Sequence, residues 1–516
     1  MSSGIQQAHA ASTPTNELLA SGDSPSKHSP GAEDKMFEKE SGDGAVVSEE
    51  PVESAADRKK KNGGLGPVAL IFACGTALFS DGYVNANSGP TNTILRKIYG
   101  KEVYTPHYSS LYSSMAFAGT LLGRKFGMIF ASLWLALFSV LISGAWGAGG
   151  SIPGLFAALE AYRFLQGIAI GAEYPAGSVA ASENTESKDV NPRRQQLYFV
   201  LSTNSMIDLG FVAATLVALI LYQIFGEKHL VWVWRLTLGL GAIPPLAVLF
   251  FRVKMAEPEH YRKGAIKRHV PWLLVLKKYW LRLSAVCVAW FAGIYSSYFL
   301  DQILGDDPPL TQTLGWSVLI NTFYLPGTFI GAFVCDRLGP KNTMLVGLVC
   351  QAIFGYALAG AFGDLKNNIG GLVVLYGLFV AFGEFGSGNN LGLLASKAVA
   401  PSAVRGTFYG VAAGIGKVGA FVGTYAYTDI QNSLDPTGKK DIYYSGTFYI
   451  GASLAVFAAL VVFFFVPPVV QDGMAKMDAE FEEYLRENNY DMSNVGLVDH
   501  AQDPATRVES GESKLE

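Results

Sequence analysis

Charge is scarce in this sequence. Asp, Glu, Lys and Arg make up 16% of its 516 residues, where about 25% is usual for a soluble domain. The shortage is deepest in the middle, because the charged residues crowd towards both ends. A surplus of either sign is missing as well. The net charge is −4, which leaves no basic face for nucleic acid, and no nucleic-acid partner is expected. Cysteine is rare. The four cysteines, Cys74, Cys287, Cys335 and Cys350, all fall inside apolar runs. They make neither a paired metal spacing nor a disulfide framework, and buried thiols are expected. No nucleophile elbow and no phosphate-binding Gly loop before a soluble helix is found, so neither an enzyme nor a cofactor is expected. The amino terminus lacks a basic region followed by an apolar stretch, so no cleaved signal peptide is expected.

What the sequence does contain is long apolar runs. Half of its residues are hydrophobic. A membrane-spanning helix needs about 20 mostly apolar residues. Twelve stretches qualify, near residues 67–89, 105–122, 126–147, 153–180, 196–224, 232–251, 281–304, 312–335, 342–363, 370–396, 404–427 and 443–467. The second and seventh are weak. Residues 1–66 and 469–516 are polar and cannot bury enough apolar surface to offset ordering entropy, so both are expected to be disordered tails. The expected organisation is a tail over 1–66, a six-helix half over 67–252, a basic linker over 253–280, a second half over 281–468 and an acidic tail over 469–516. Lys and Arg set the orientation in the bilayer. They sit before the first stretch (Arg58 to Lys61) and after every even-numbered one, including Arg124 and Lys125, Arg193 and Arg194, Arg337 and Lys341, and Arg405. Both tails are therefore expected in the cytosol.

The two halves repeat. Glu173-Tyr-Pro-Ala-Gly177 in the fourth stretch matches Glu384-Phe-Gly-Ser-Gly388 in the tenth. Asp208-Leu-Gly210 in the fifth matches Lys417-Val-Gly419 in the eleventh, at nearly the same offset. A parallel repeat places a substrate site between the halves, near mid-membrane. Arg163 and Glu173 share the fourth stretch. Ionisable groups at this depth are costly and mark function. Their ten-residue separation, roughly 15 Å along a helix, rules out a direct pair. The eighth stretch ends Gly327-Thr-Phe-Ile-Gly331, then Asp336-Arg337-Leu-Gly339-Pro-Lys341. Its small residues allow close helix packing, and its Asp-Arg pair sits where an ion pair can latch a gate. Asp336, Arg337 and Arg163 are the gating candidates.

This last string resembles the loop signature of the major facilitator superfamily. Arg163-Phe-Leu-Gln-Gly167 followed by Gly171-Ala-Glu-Tyr-Pro175 resembles the phosphate:proton symporter branch of that superfamily. The longer string Gly171 to Glu183, together with Cys74-Gly-Thr-Ala-Leu-Phe-Ser-Asp81-Gly-Tyr83 and Gly293-Ile-Tyr-Ser-Ser297, is closer to the fungal glycerophosphoinositol permeases. The resemblance covers roughly residues 65–470. It implies an all-α membrane protein with the major facilitator fold, twelve transmembrane helices in two six-helix halves. It implies proton-coupled import of a glycerophosphodiester, glycerophosphoinositol or glycerophosphocholine, across the plasma membrane by alternating access. Inorganic phosphate is the alternative anion, and inorganic phosphate members usually carry Asp where this chain has Glu173. The implied partners are that anion, protons and the lipid bilayer. Glu173, Tyr174, Asn389 and Lys417 match the substrate-binding positions. Asp81 and Glu173 match proton-coupling positions, and Asp208 joins them as a candidate that could also pair with Lys417 in the empty state. A lone Lys in a low-dielectric cavity is a suitable counter-ion for a phosphodiester, and a buried carboxylate can load and release a proton.

The chain departs from this pattern twice. Gly327 and Gly339 are 12 residues apart, whereas their first-half counterparts Gly119 and Gly123 are 4 apart. The first-half Asp-Arg is missing, and the second stretch is left short. Near Ala292, Trp290-Phe291 runs straight into Gly293-Ile-Tyr, where the resemblance leads us to expect an Asp-bearing segment. A gene-model or splicing artefact and a transport-dead isoform or sensor are both open readings. Under the first, transcript sequencing is expected to reveal about eight more residues between Thr120 and Gly123, including Asp-Arg, by analogy with the second half. It is also expected to reveal a comparable insert near Ala292, and restoring both should raise transport well above that of the short chain. Short junctions alone, with full transport by the short protein, would refute it.

Overall fold

The computed structural model describes residues 66–120, 128–186, 189–252, 270–297, 309–437, 440–469 and 473–492. The expectations for the amino-terminal tail, for Arg124 and Lys125 and for residues 253–269 of the linker fall outside these. In hydrocarbon no water satisfies a bare backbone amide, so a spanning chain must be helical or a closed barrel. Among the described residues there is no strand.

Among the described residues twelve helices follow the twelve apolar stretches. Helix α1 has three segments, Pro67–Gly75, Ala77–Ala86 and Ser88–Tyr99. Then come α2 (Pro106–Thr120), α3 (Met128–Ser143) and α4 (Ile152–Thr185). Helix α5 has two segments, Gln195–Ser202 and Asn204–Phe225, and so has α6, Leu230–Gly239 and Ile243–Arg252. The second half comprises α7 (Trp272–Ser297), α8 (Leu310–Leu338) and α9 (Pro340–Gly360). Helix α10 runs as Ile369–Gly383, a π-helical turn at Glu384–Gly388, and Asn389–Lys397. Helices α11 (Ser402–Leu434) and α12 (Ile442–Phe465) complete the half.

Among the described residues eight stretches are long and apolar enough to cross a membrane by composition alone, and α2, α4, α7 and α11 are not among them. The reasons are local. The described part of α2 is 15 residues long, roughly 22 Å against a hydrocarbon thickness of about 30 Å. Helices α4 and α11 carry Arg163, Glu173 and Glu183, and Arg405 and Lys417; α7 starts with Lys277, Lys278 and Arg282.

The repeat read from the sequence is visible in the packing. In the first half α1 packs on α5, α2 on α4 and α3 on α6; in the second, α7 packs on α11, α8 on α10 and α9 on α12. The halves meet along α5 with α8 and along α2 with α11. Matching glycines set the close approaches. A Cβ at Gly119 of α2 would overlap the Phe164 carbonyl of α4, and one at Gly327 of α8 would overlap the Ala381 carbonyl of α10. Cys74, Cys287 and Cys335 are buried, and Cys350 is half-buried.

Two expectations need correction. The carboxyl-terminal segment is not wholly disordered: Gly473–Glu487 forms a thirteenth helix, α13. Its buried residues are Met474, Met477, Phe481 and Leu485, a narrow helical stripe inside an otherwise charged segment. A composition average hides such a stripe. The linker also ends earlier than residue 280, because α7 begins at Trp272. Val275 and Tyr279 are buried in one cluster with Met477, Phe481 and Leu485, so α13 and the start of α7 cover one another. Lys278 Nζ donates to the Glu480 carbonyl at 2.8 Å. Phe481→Ala is expected to remove about 3–5 kcal/mol and to undock α13, read as faster amide exchange across residues 473–487. Unchanged exchange would mean that the apolar stripe does not hold the helix.

Candidate functional site

A cavity of about 230 Å³ lies between the halves. Its wall includes Asp81 of α1, Tyr174 of α4, Asp208 of α5, Trp290 and Gly293 of α7, Glu384 of α10 and Lys417 of α11. It also reaches Thr93, Thr313 and Leu372, which lie near the ends of α1, α8 and α10 remote from Pro67, where α1 starts, and from α13, the described part of the carboxyl-terminal tail; the end of the bundle at Pro67 and α13 is the tail side. The wall includes no residue from the tail-side ends of these helices. The cavity therefore faces away from the start of α1 and from α13.

Helix irregularities cluster here. Helix α1 breaks at Thr76 and Asn87, either side of Asp81. Helix α5 breaks at Thr203, one residue before Asn204. The π turn of α10 carries Glu384 and Ser387 on the cavity wall. Such turns are frequent at functional sites because they re-aim side chains without abandoning the helix.

Lys417 lies 15 residues into α11, roughly 22 Å along it. Its Nζ is 5.1 Å from the centre of the Tyr174 ring and 5.4 Å from that of Phe117. Both rings belong to the opposite half. Asp81 is the carboxylate near enough to act on Lys417 electrostatically. Tyr174, Trp290 and Tyr409 form an aromatic cluster with ring centres 5.5 to 6.3 Å apart. Tyr409 stands two turns from Lys417 towards the tail-side end of α11, so these rings floor the cavity. A side chain at Gly416 would overlap the Trp290 ring, so glycine is needed there for α7 and α11 to meet.

A second polar group joins the halves. Asn204 Nδ2 of α5 donates to Glu384 Oε2 at 2.8 Å and to Asn389 Oδ1 at 3.0 Å, both on α10. Thr328 Oγ1 of α8 donates to Asp208 Oδ2, and Asn389 Nδ2 donates to the Thr328 carbonyl at 2.9 Å.

The structure thus brings Asp81, Tyr174, Asp208 and Lys417 to one cavity. Glu173 is buried beside it, on the turn that presents Tyr174, and Asn389 lies behind Glu384 in the polar network. Neither is among the cavity-lining residues. Arg163 is elsewhere: its Nη1 donates to the Val84 carbonyl at 2.6 Å and to Asn87 Oδ1 at 3.2 Å, and the guanidinium stacks 4.9 Å from the Tyr112 ring. It stitches α4 to the kink of α1 and does not meet Asp336. Among the described residues no His, Cys, Asp or Glu group is placed to hold a metal ion.

The tail-side end is shut by charges. Glu183 of α4 pairs with Arg405 of α11 at 3.3 Å, and Glu186 pairs with Lys397 of α10 at 3.2 Å, all four side chains being buried. Asp336 Oδ1 accepts the Leu197 amide at 3.0 Å, so a carboxylate of α8 sits at the positive amino terminus of α5. Arg337 is exposed. Arg405 also approaches Asp478 of α13 at 3.8 Å, and Asp478 accepts the Ser402 amide at 2.6 Å. Sequence reasoning left Asn204, Thr328 and the Glu183–Arg405 and Glu186–Lys397 pairs out of the site. It also left out Glu384, although the repeat had already aligned Glu384 with Glu173.

The pattern of the Major Facilitator Superfamily matches residues 77–424. A glycerophosphocholine permease of Candida albicans is 43% identical over 449 residues, covering 82% of this chain and 83% of that protein. The major glycerophosphoinositol permease of the same organism is 41% identical over 449 residues, with the same coverage. The aligned positions outnumber the residues that 82% of a 516-residue chain supplies, so this chain has gaps against both relatives. A solved proton:xylose symporter bound to 6-bromo-6-deoxy-D-glucose superimposes with a TM-score of 0.65, covering 80% of this chain and 98% of that one at 16% identity. That likeness is one of fold. By family pattern, by helix packing and by its relatives, the chain belongs to the major facilitator superfamily, in the branch of the fungal glycerophosphodiester permeases.

Proposed function

We propose that this chain is a transporter rather than an enzyme, and that it imports a glycerophosphodiester with protons across the plasma membrane by alternating access. The observation that carries this reading is Lys417. It is the only cationic residue on the cavity wall among the described residues, and it faces two rings of the opposite half. A phosphodiester carries one negative charge, and a lone ammonium in a desolvated cavity is its natural counter-charge. Tyr174 and Trp290 close the floor beneath the bound anion. Glu173 is buried next to Tyr174 in the sequence of α4, and Asn389 shares the Asn204 amide with Glu384. The relatives' names, for glycerophosphocholine and glycerophosphoinositol, support this substrate class over inorganic phosphate.

Proton coupling rests on the intramembrane acids, Asp81 and Glu173 foremost. With Lys and Arg concentrated at the tail-side loops, the cytosol is on the tail side, and the cavity described above is the outward-facing one. Loading then occurs with the Glu183–Arg405 and Glu186–Lys397 pairs closed. Release needs both pairs to part, so these two pairs form the inner gate, together with Asp336 at the amino terminus of α5.

Two measurements test this. Lys417→Ala is expected to abolish glycerophosphodiester uptake at unchanged surface expression; uptake within about twofold of the parent, less than the loss of one charged contact should produce, would sink the assignment. Uptake is also expected to rise as external pH falls from about 7.5 to about 5 and to collapse with a protonophore, because membrane-embedded acids must be protonated to carry the coupled proton. Accumulation that survives collapse of the gradient would make the protein a uniporter.

A further inference from the structure

We propose that Asp208 and Glu384, with the rings of Phe211 and Tyr324, form a subsite for an organic cation, so that the preferred substrate is a zwitterionic glycerophosphodiester with a quaternary ammonium head group. The inference rests on the transport reading above and narrows its substrate.

The argument begins with charge. Three carboxylates, Asp81, Asp208 and Glu384, line the cavity against one cation, Lys417. Asp81 acts on Lys417. The other two are held by neutral donors: Thr328 on Asp208, and Asn204 on Glu384. Among the described residues no Lys, Arg or His pairs with either. Asp208 is only 1% exposed, and its Oδ1 has no hydrogen-bond partner among the described residues. A buried carboxylate without a cation is costly and calls for a positive ligand.

The surroundings specify which kind. Phe211 lies three residues beyond Asp208 on α5, and Tyr324 lies four residues before Thr328 on α8. These two rings, one from each half, meet edge to face with centres 5.5 Å apart, and both line the cavity. Each stands one helical turn from the Asp208–Thr328 hydrogen bond. Carboxylates beside aromatic faces are the recognition chemistry of quaternary ammonium groups, which are attracted to ring faces and need no hydrogen-bond acceptor. An inositol ring is neutral and lined with hydroxyls, and it would gain nothing from these rings comparable to cation binding. The cavity is bipolar: Lys417 with Tyr174 and Trp290 on one side suits a phosphate, and Asp208 and Glu384 with Phe211 and Tyr324 on the other suits the cation. Because Asp208 belongs to the first half and Glu384 to the second, one bound head group would also bridge the two moving parts. Asp208, a proton-coupling candidate by sequence, is assigned here to the substrate.

The test is binding of glycerophosphocholine and of glycerophosphoinositol to the purified full chain, alone and with Asp208→Asn, Glu384→Gln or Tyr324→Leu. Each variant is expected to weaken glycerophosphocholine at least about tenfold and glycerophosphoinositol less than about threefold, the asymmetry that loss of a cation contact requires. Tyr324→Leu leaves the Thr328–Asp208 and Asn204–Glu384 hydrogen bonds in place and so guards against loss of fold. Equal weakening of both substrates, or weakening of neither, would overturn the subsite. Intact glycerophosphocholine binding with lost proton-driven accumulation would give the pair to the proton and also overturn it. If the unaltered chain bound neither compound, the transport reading would fail and the subsite with it.

Discussion

Every peptide group of this chain that lies in hydrocarbon must find a partner within its own helix, because the solvent supplies none. That constraint explains why twelve straight-reading apolar stretches become twelve helices. It also makes each departure from helical regularity informative. The breaks at Thr76, Asn87 and Thr203 and the π turn at Glu384–Gly388 all fall on helices that line the cavity. Arg163 shows a side chain serving the backbone there: its guanidinium donates to the Val84 carbonyl at the α1 kink.

The same economy governs the tail-side closure. Acids of the first half, Glu183 and Glu186, meet cations of the second, Arg405 and Lys397. A buried ion pair repays its desolvation poorly, yet stranding one partner in an apolar interior is far worse. These pairs lie at helix ends. In the alternating access proposed above, water would reach them as the halves part, so opening would exchange protein contacts for hydration and strand no charge. The floor of Tyr174, Trp290 and Tyr409 adds a layer without charge between gate and cavity.

Much of this was legible in the sequence. Helix number, the repeat and the depth of Lys417 follow from apolar length, from paired strings such as Glu173-Tyr-Pro and Glu384-Phe-Gly, and from spacing to Arg405. The contacts across halves were not legible. Asn204, Thr328 and Glu384 sit on helices far apart in sequence, and only the interface brings them within hydrogen-bond reach. Arg405 read as an orientation signal because loop cations usually are, and Lys397 was given no role; their buried partners on and just after α4 appear only in three dimensions. Helix α13 was missed because four buried apolar side chains at helical spacing barely move the average of a charged segment.

That helix bears on the missing first-half latch. In the second half, Asp336 at the end of α8 places a carboxylate at the amino terminus of α5, the helix it faces across the interface. The repeat pairs α2 with α11 in the same way, so the absent first-half Asp would have met the amino terminus of α11. That terminus is not left bare. Asp478 of α13 accepts both the amide and the hydroxyl of Ser402, at 2.6 and 2.5 Å, and stands 3.8 Å from Arg405. A helix amino terminus favours a negative charge whatever element delivers it. Here α8 delivers one to α5 and α13 delivers the other to α11, so each half's gate helix is capped, and Arg405 is held between a carboxylate of the opposite half and one of the tail.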